Sequence, residues 1–473
     1  MQNPIERRKM SMTEKNELNP KRIEEIFSTL NISARVVHVT RGHGITRFEL
    51  KLDNYTTIED IHHLERSISK ELDALSVRME IPLSGYHLAA LEVATSEYRD
   101  YSVSLREILD SEIMHKSESS LTFALGRDIA GTPIVYELAK MPHILIAGQA
   151  GSGIIECIDA IINSFLLRTS SERVKLIMTN PQIVELQRYN CIPHLLIPIV
   201  NNPYKAIAVL AWAVAEMKRR NHKFRELFAS DLDDYNAIIE PFKKPMSRIV
   251  IIISELADLL LVDSKNIVKE YISHLGWEAR IAGIHLVVVT KRPAIDVITN
   301  TITVNLPSRI AFKTPSSVES RTILDRAGAE HLLNWGDMLY LPYRSLAPIR
   351  VRSCSLSNEE INSNIAYAQK TNAVSYDLNI IKDIESSCAK IEEISRMDMY
   401  TETMVPEMNY EELFEAAVAC AISNGQITRT ILQRTLRIGY AMAGRLADEL
   451  AEKGIVSKKD SEGIQRCLII KKD

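Results

Sequence analysis

The chain has 473 residues, too many for one hydrophobic core at about 100 to 200 residues per domain, so about two to four domains are expected. Hydrophobic residues make up 46% and the formal net charge is −4, which excludes a globally basic nucleic-acid binder: any such contact must come from a local basic surface or an interior channel. Six cysteines, at 157, 191, 354, 388, 420 and 467, show no CxxC pairing, which argues against a disulfide framework or a metal centre and fits a reducing cytoplasm.

In chain order, residues 1–19 begin with a polar stretch that has no apolar segment behind it, and read as a flexible N-terminus. No segment approaches about 18 consecutive apolar residues, so no membrane span is expected and the chain reads as soluble. Residues 20–118 alternate like a small α+β domain: 34–39 and 46–50 have strand periodicity, and the pattern from Ile58 to Leu75 is helical. From 119 to 354, apolar runs at 144–147, 174–178, 249–253 and 285–290 alternate with helical stretches, which predicts a mostly parallel, helix-covered sheet. Residues 355–407 turn polar and acidic and read as a linker with some helix. Residues 408–473 carry three short helical patterns followed by Gly454-Ile455-Val456 and Arg466-Cys467-Leu468-Ile469-Ile470, the outline of a winged helix.

The most informative local feature is a strand, glycine turn and helix at 143–162. Gly148, Gly151, Ser152 and Gly153 form a turn that looks built to cradle phosphate on backbone N–H groups at a helix N-terminus. In a phosphate-binding loop a lysine and a serine or threonine follow. Here Ile154 and Ile155 stand in those places.

The segments Met141 to Gly148, Ile192 to Leu196, Ala282 to Val287 and Ile295 to Thr299 resemble, in order and spacing, the motor of the FtsK/SpoIIIE DNA translocases. Pro307 to Phe312, Ser320 to Asp325 and Gly336 to Pro342 extend the match. Ile45 to Leu50 and Gly126 to Gly131 are similar to that family's α-domain and motor entry, and Leu432 to Tyr440 to its C-terminal γ winged helix. The resemblance implies a RecA-like P-loop motor between an N-terminal α+β domain and a C-terminal winged helix, assembled as a hexamer around double-stranded DNA. It also implies ATP with Mg²⁺ as cofactor and a role in chromosome segregation and cell division. The family's membrane-spanning region has no counterpart in this sequence.

Carried over position by position, the family's P-loop lysine falls on Ile154, its metal-binding hydroxyl on Ile155 and its strand-end aspartate on Ser254. Glu255 remains at the position of the base. The sensor glutamine falls on Lys291, and the Asp-Pro-Lys after a neighbouring strand reads Asn180-Pro181-Gln182. Phosphoryl transfer rests on positioned cations, and each lost charge-assisted bond of about 1.5 to 3 kcal/mol is about tenfold or more in rate, so little or no ATP turnover is expected. Lys291 could compensate, since the RecA-like strand order puts its strand between the loop strand and the strand of Ser254. The plain alternative is a buried ion pair with Glu255.

Arg280, Arg309 and Arg321 fall on family arginines and are candidate trans fingers, each with a surface salt bridge as the alternative. In the winged helix the family's Arg-Ile-Gly-Tyr-Asn-Arg pattern continues here as Ala441-Met442, so Arg434, Arg437 and Arg445 suit phosphates better than base edges, and weak, salt-sensitive binding to duplex DNA is expected. Three functions stand open: an impaired translocase module acting as ring subunit, clamp or regulator; a rewired working motor using Lys291 and Glu255; and a scaffold that binds neither nucleotide nor DNA.

Overall fold

The computed structural model describes residues 18–52, 64–80, 88–141, 143–179, 184–240, 242–263, 265–403, 410–436, 438, 440–457 and 465–468, with side chains set aside at 396–403, 430, 434, 440 and 441. It divides into two units, residues 1–389 and 390–473. No helix among the described residues is long and apolar enough to cross a membrane.

The first unit opens with helix α1 (Pro20–Thr29). Its start is set by proline at the first helical position and by Asn19, whose side chain accepts from the Arg22 N–H. Four strands follow, β1 (Ala34–Arg41), β2 (Ile45–Leu52), β3 (Ser76–Glu80) and β4 (Leu88–Ala94), in an antiparallel sheet ordered β1-β2-β4-β3. Ile23, Ile26 and Phe27, three and four residues apart on α1, close over Phe48, Leu50, Leu91 and Val93. Of the helical pattern read over Ile58 to Leu75, the described part is a helix over Glu65–Glu71 followed by a turn at 72–73, so the helix ends before Leu75; residues 53–63 lie outside the described set. Asp73, with φ of 48°, takes the chain out of the helical region there.

The large sheet has ten strands: β5 (Val103–Ser104), β6 (Thr122–Asp128), β7 (Pro133–Glu137), β8 (His143–Ala147), β9 (Val174–Thr179), β10 (Arg248–Ile253), β11 (Ile284–Thr290), β12 (Ser308–Phe312), β13 (Asp337–Leu341) and β14 (Ile349–Ser355). Its order is β7-β6-β14-β13-β12-β8-β11-β10-β9, with β5 beside β14. The five strands β12, β8, β11, β10 and β9 are parallel, and they are the apolar runs buried on both faces. From β12 outward, the pairings along β13, β14, β6 and β7 are antiparallel, while β5 runs parallel to β14. The sheet is therefore mixed rather than mostly parallel. Two of these pairings have a local reason: β13 to β14 and β6 to β7 are joined by short connections without a crossover, which allow only antiparallel neighbours.

One face of the sheet is covered by α2 (Ile154–Arg168), which approaches β6 and β14 most closely and whose Ile158, Ile161, Ile162 and Phe165 share one core with Ile144, Ile146, Val250, Ile252, Val287 and Val289. The strand residues alternate by two, which fixes which side chains of each strand share α2's face. Two helices that pack on each other, α3 (Pro203–Glu226) and α5 (Ile267–Glu278), lie in the connections from β9 to β10 and from β10 to β11, with the short α4 (Leu256–Val262) directly after β10. Beyond β14, α6 (Asn358–Thr371) starts on a capping box of Ser357 and Glu360 and buries Ile361, Ile365 and Ala368 in the same core as α2. The segment read as a linker so begins with a packed helix, and α7 (Leu378–Thr403) follows it across the division between the units.

In the second unit, α8 (Tyr410–Asn424), α9 (Arg429–Leu436) and α10 (Tyr440–Glu452) enclose Leu413, Ala417, Leu432, Leu446 and Leu450. β15 (Gln426–Ile427) pairs with β16 (Gln465–Arg466), and Val456 pairs with Cys467 to form the base of the wing. Three helices closed by a hairpin make the expected winged helix.

Within the first unit, a buried charge cluster ties the small sheet to the large one. Glu92 on β4 is fully buried and accepts from Arg47 at 2.7 Å, Arg78 at 2.9 Å and Arg350 of β14 at 3.0 Å. Arg350 also grips Asp337 of β13, which accepts from Tyr98. Burial pushes the Glu92 carboxyl up, but the three guanidiniums outweigh it and hold the group at about 2. Its folded pKa thus lies below its unfolded one, so its contribution to stability is full above about pH 4.5 and fades as pH falls toward 2. Glu92→Gln is expected to cost about 3–5 kcal/mol at neutral pH, because it strands buried guanidiniums. In urea unfolding the gap between the two proteins should narrow steadily below pH 4.5; a gap independent of pH would contradict this account.

Candidate nucleotide site

The turn between β8 and α2 is held by backbone groups. Gly148 N–H donates to Thr290 O at 3.3 Å and Gln149 N–H to Lys313 O at 2.8 Å, anchoring the loop's entrance to the ends of β11 and β12. A Cβ at Gly148 would lie 2.7 Å from the Cβ of Phe312. Gly151 is exposed with φ of +75°, and Gly153 has φ of +117° with Gly336 so close that a Cβ would meet its Cα at 2.5 Å. Ser152 is fully buried; its hydroxyl donates to Gln149 O at 2.6 Å and its carbonyl accepts from Gly336 N–H at 3.0 Å. Its side chain locks the turn.

Gly153 is the N-cap of α2 and brings no side-chain acceptor, so the N–H groups of Ile154, Ile155 and Glu156 have no acceptor within the helix. With the positive end of the helix dipole, they form a surface suited to an anion. The side chains there bring no charge. Ile154 is 3% exposed and belongs to the core under α2, and Ile155 is half-buried against the same core.

Two strands supply the rest of the site. The strand order places β11 between β8 and β10, as expected, with Thr290 opposite Ala147 and Val288 opposite Ile253. Ser254 is one residue past β10 and Lys291 one residue past β11; counted on by twos from Val250 and Ile252 and from Val287 and Val289, both follow the alternation toward the face covered by α2. Ser254 is fully buried and its hydroxyl has no hydrogen-bond partner among the described residues; Thr179 Oγ1 on neighbouring β9 is in the same condition. Lys291 is half-buried.

Glu255 lies on the other face together with Thr290. It caps α4 through the Ala257 N–H at 3.1 Å, accepts the Thr290 hydroxyl at 2.5 Å, and takes the Lys291 backbone N–H at 2.9 Å. The link between Lys291 and Glu255 is therefore a backbone hydrogen bond. Nearby, burial raises the Asp258 carboxyl, as does the charge of Glu255, while Lys291 draws it back down.

The arginines separate by environment. Arg309 pairs with Asp325 at 2.7 Å and donates to Ile323 O at 2.9 Å, whereas Arg280 and Arg321 are exposed, the latter donating to Ser317 Oγ at 3.1 Å. Arg445 is exposed on α10. The side chain of Arg434, and Arg437 and Asn180 to Gln182 entirely, lie outside the described residues. Thr290 and Gly336, which touch the site most directly, were not singled out from the sequence. Thr290 closes a β-branched run just before Lys291; Gly336 opens a segment that matches the family, but its close approach to Gly153, 183 residues away by the difference between 336 and 153, has no local signature.

Mg²⁺ requires a compact set of hard oxygens, usually one or two carboxylates with phosphates and water. Ser254 offers one neutral hydroxyl, Glu255 faces the other side of the sheet with both oxygens hydrogen-bonded, and no group of three metal-binding side chains occurs among the described residues. The donor set fits an anion and does not fit the metal. As a test of the loop's geometry, Gly151→Ala, with open space around it, should cost about 1–2 kcal/mol from its backbone conformation alone. Gly153→Ala should cost more, since it adds a collision with Gly336; urea unfolding that finds the two equal would rule out the contact as a constraint.

Three family models match the chain: the FtsK/SpoIIIE family over residues 104–295, the FtsK alpha domain over 1–95 and the FtsK gamma domain over 408–470. The DNA translocase FtsK of Clostridium tetani is 41% identical over 471 residues, which cover 98% of this chain and 61% of that protein. The DNA translocase FtsK of Caldanaerobacter subterraneus subsp. tengcongensis is 43% identical over 441 residues, covering 93% of this chain and 59% of that one. The chain thus spans about three fifths of the length of these relatives. Among solved structures, the conjugation coupling protein TcpA of pCW3, determined with ATPγS, superposes with a TM-score of 0.50 at 18% identity, over 72% of this chain and 97% of that one. The cytoplasmic domain of the type VII secretion ATPase EccC of Thermomonospora curvata does so with a TM-score of 0.51 at 19% identity, over 59% and 36%. These likenesses speak for the fold alone, a RecA-like α/β fold; the three family models and the relatives in sequence go further, and the chain belongs to the FtsK/SpoIIIE family.

Proposed function

We propose that the chain is the motor and winged-helix portion of an FtsK-like double-stranded DNA translocase whose ATP hydrolysis is strongly impaired. In this reading it serves chromosome segregation and cell division in the cytoplasm as a DNA-binding subunit or regulator of a homo- or hetero-hexameric ring. The relatives' name, DNA translocase FtsK, supports the DNA-handling part. The observation that carries the impairment is the occupancy of the loop: the two residues after Gly153 are isoleucines, one buried in the core and one packed against it, and the strand-end residue Ser254 is neutral. A γ-phosphate there meets neither an ammonium from the loop nor a metal ligand, although charge neutralisation is most of what phosphoryl transfer asks of a protein.

Glu255 keeps the position of a base, yet its oxygens accept from Ala257, Thr290 and Lys291 and hold α4 against β11. That supports a structural role for it more than activation of water. The burial of Ile154 also favours a second reading, a scaffold in which the loop holds no nucleotide at all.

ATP hydrolysis by the purified chain, with and without long duplex DNA, separates these readings from a rewired motor. Turnover is expected at least about a hundredfold below that of an FtsK relative with an intact loop, from two or more lost interactions of about 1.5–3 kcal/mol each. DNA-stimulated turnover that disappears in Glu255→Ala would overturn the proposal.

A further inference from the structure

Two kinds of group meet phosphates in a loop of this shape. Backbone N–H donors need only glycine geometry and a helix start, whereas side chains bring a cation or hold a metal. In this chain the two have come apart. Gly151 and Gly153 hold left-handed conformations, and the start of α2 is uncapped, so the backbone donors remain. Ile154 and Ile155 bring hydrocarbon, and Mg²⁺ finds no ligand set, as the orientation and bonding of Glu255 show.

A second observation points to a ligand on the same face. Ser254 Oγ is fully buried and unpartnered, on the side of the sheet that carries α2. A buried hydroxyl without a partner costs about 1–3 kcal/mol, and a phosphate oxygen or its water would relieve it. Positive charge for such an anion is available from the next strand over: Lys291 ends β11, β11 is paired directly to the loop strand β8, and the alternation of β11 puts Lys291 on α2's face. The same ammonium acts on Asp258 of α4, whose carboxyl it draws down against burial and Glu255.

We propose that this site takes the phosphates of a nucleoside di- or triphosphate without a divalent metal, with Lys291 as the positioning cation in place of both loop lysine and Mg²⁺. The inference rests on reading the loop as the nucleotide site of a non-hydrolysing motor. It differs from that reading in what it requires: a nucleotide must bind, and Mg²⁺ must be irrelevant to its binding.

The experiment is a calorimetric titration of the full chain with ADP and with ATP, each in excess Mg²⁺ and in excess EDTA. Affinities in the two buffers should agree within about threefold, less than the 1.4 kcal/mol that corresponds to tenfold. Lys291→Ala should weaken binding by about tenfold or more in both buffers, the loss of one charge-assisted bond. The double variant Ile155→Thr/Ser254→Asp, checked for folding by its thermal transition, should acquire Mg²⁺-dependent binding. Binding strengthened tenfold or more by Mg²⁺ in the unmodified chain would overturn the inference and leave the impaired motor standing. Absence of binding in both buffers would overturn it too, in favour of the scaffold. An unchanged affinity in Lys291→Ala would refute the role of that residue. Failure of the functional reading itself would show separately, as DNA-stimulated hydrolysis.

Discussion

β11 is hydrogen-bonded along both edges, with Thr290 opposite Ala147 on one side and Val288 opposite Ile253 on the other. That double register brings the ends of the loop strand, β11 and β10 to one level, and everything at the candidate site follows from it. Gly148 can donate to Thr290 O only because the two strand ends are side by side. Glu255 can accept both the Thr290 hydroxyl and the Lys291 N–H only because β10 lies on the other edge. A slip of one residue would send Ser254 and Lys291 to the face opposite α2 and bring Glu255 and Thr290 onto it.

The glycines of the loop have a structural reason to be glycine that is independent of any ligand. Gly148 faces Phe312 and Gly153 faces Gly336 at distances no side chain tolerates, so the turn is required by the packing of β12 and β13 as much as by a phosphate. The glycine pattern therefore does not speak for nucleotide by itself. The chemically informative features are the ones a fold does not need: an uncapped helix start and a buried hydroxyl left without a partner. Both remain although the side chains that would neutralise a triphosphate are hydrocarbon, and this combination separates binding from hydrolysis as distinct questions.

The small N-terminal sheet and the large sheet are joined by charge as well as by apolar contact. Glu92 collects three guanidiniums and Arg350 passes the connection to Asp337, so β2, β3 and β4 are linked to β13 and β14 through groups that are costly to leave unpaired. β13 is also the strand that follows Gly336, the residue that presses on the loop at Gly153. The same strand thus belongs to the charge cluster and borders the phosphate turn.

Much of this was legible in the sequence because it depends on local pattern. The apolar runs at 144–147, 174–178, 249–253 and 285–290 became strands β8 to β11, the glycine turn led into a helix, and the three helical patterns of the last segment closed on a wing. Where local pattern was read too far, tertiary context corrected it. The helix sought as far as Leu75 ends at Glu71, and the sheet acquired an antiparallel arm in which short connections join β13 to β14 and β6 to β7. By itself the sequence determined the element types and the loss of charge at Ile154, Ile155 and Ser254, because periodicity and side-chain chemistry are carried residue by residue. Only the tertiary structure decided that Glu255 is bonded to Thr290, that Arg309 pairs with Asp325, and that Gly336 confines Gly153, because each of these depends on strand order and register between segments far apart in the chain.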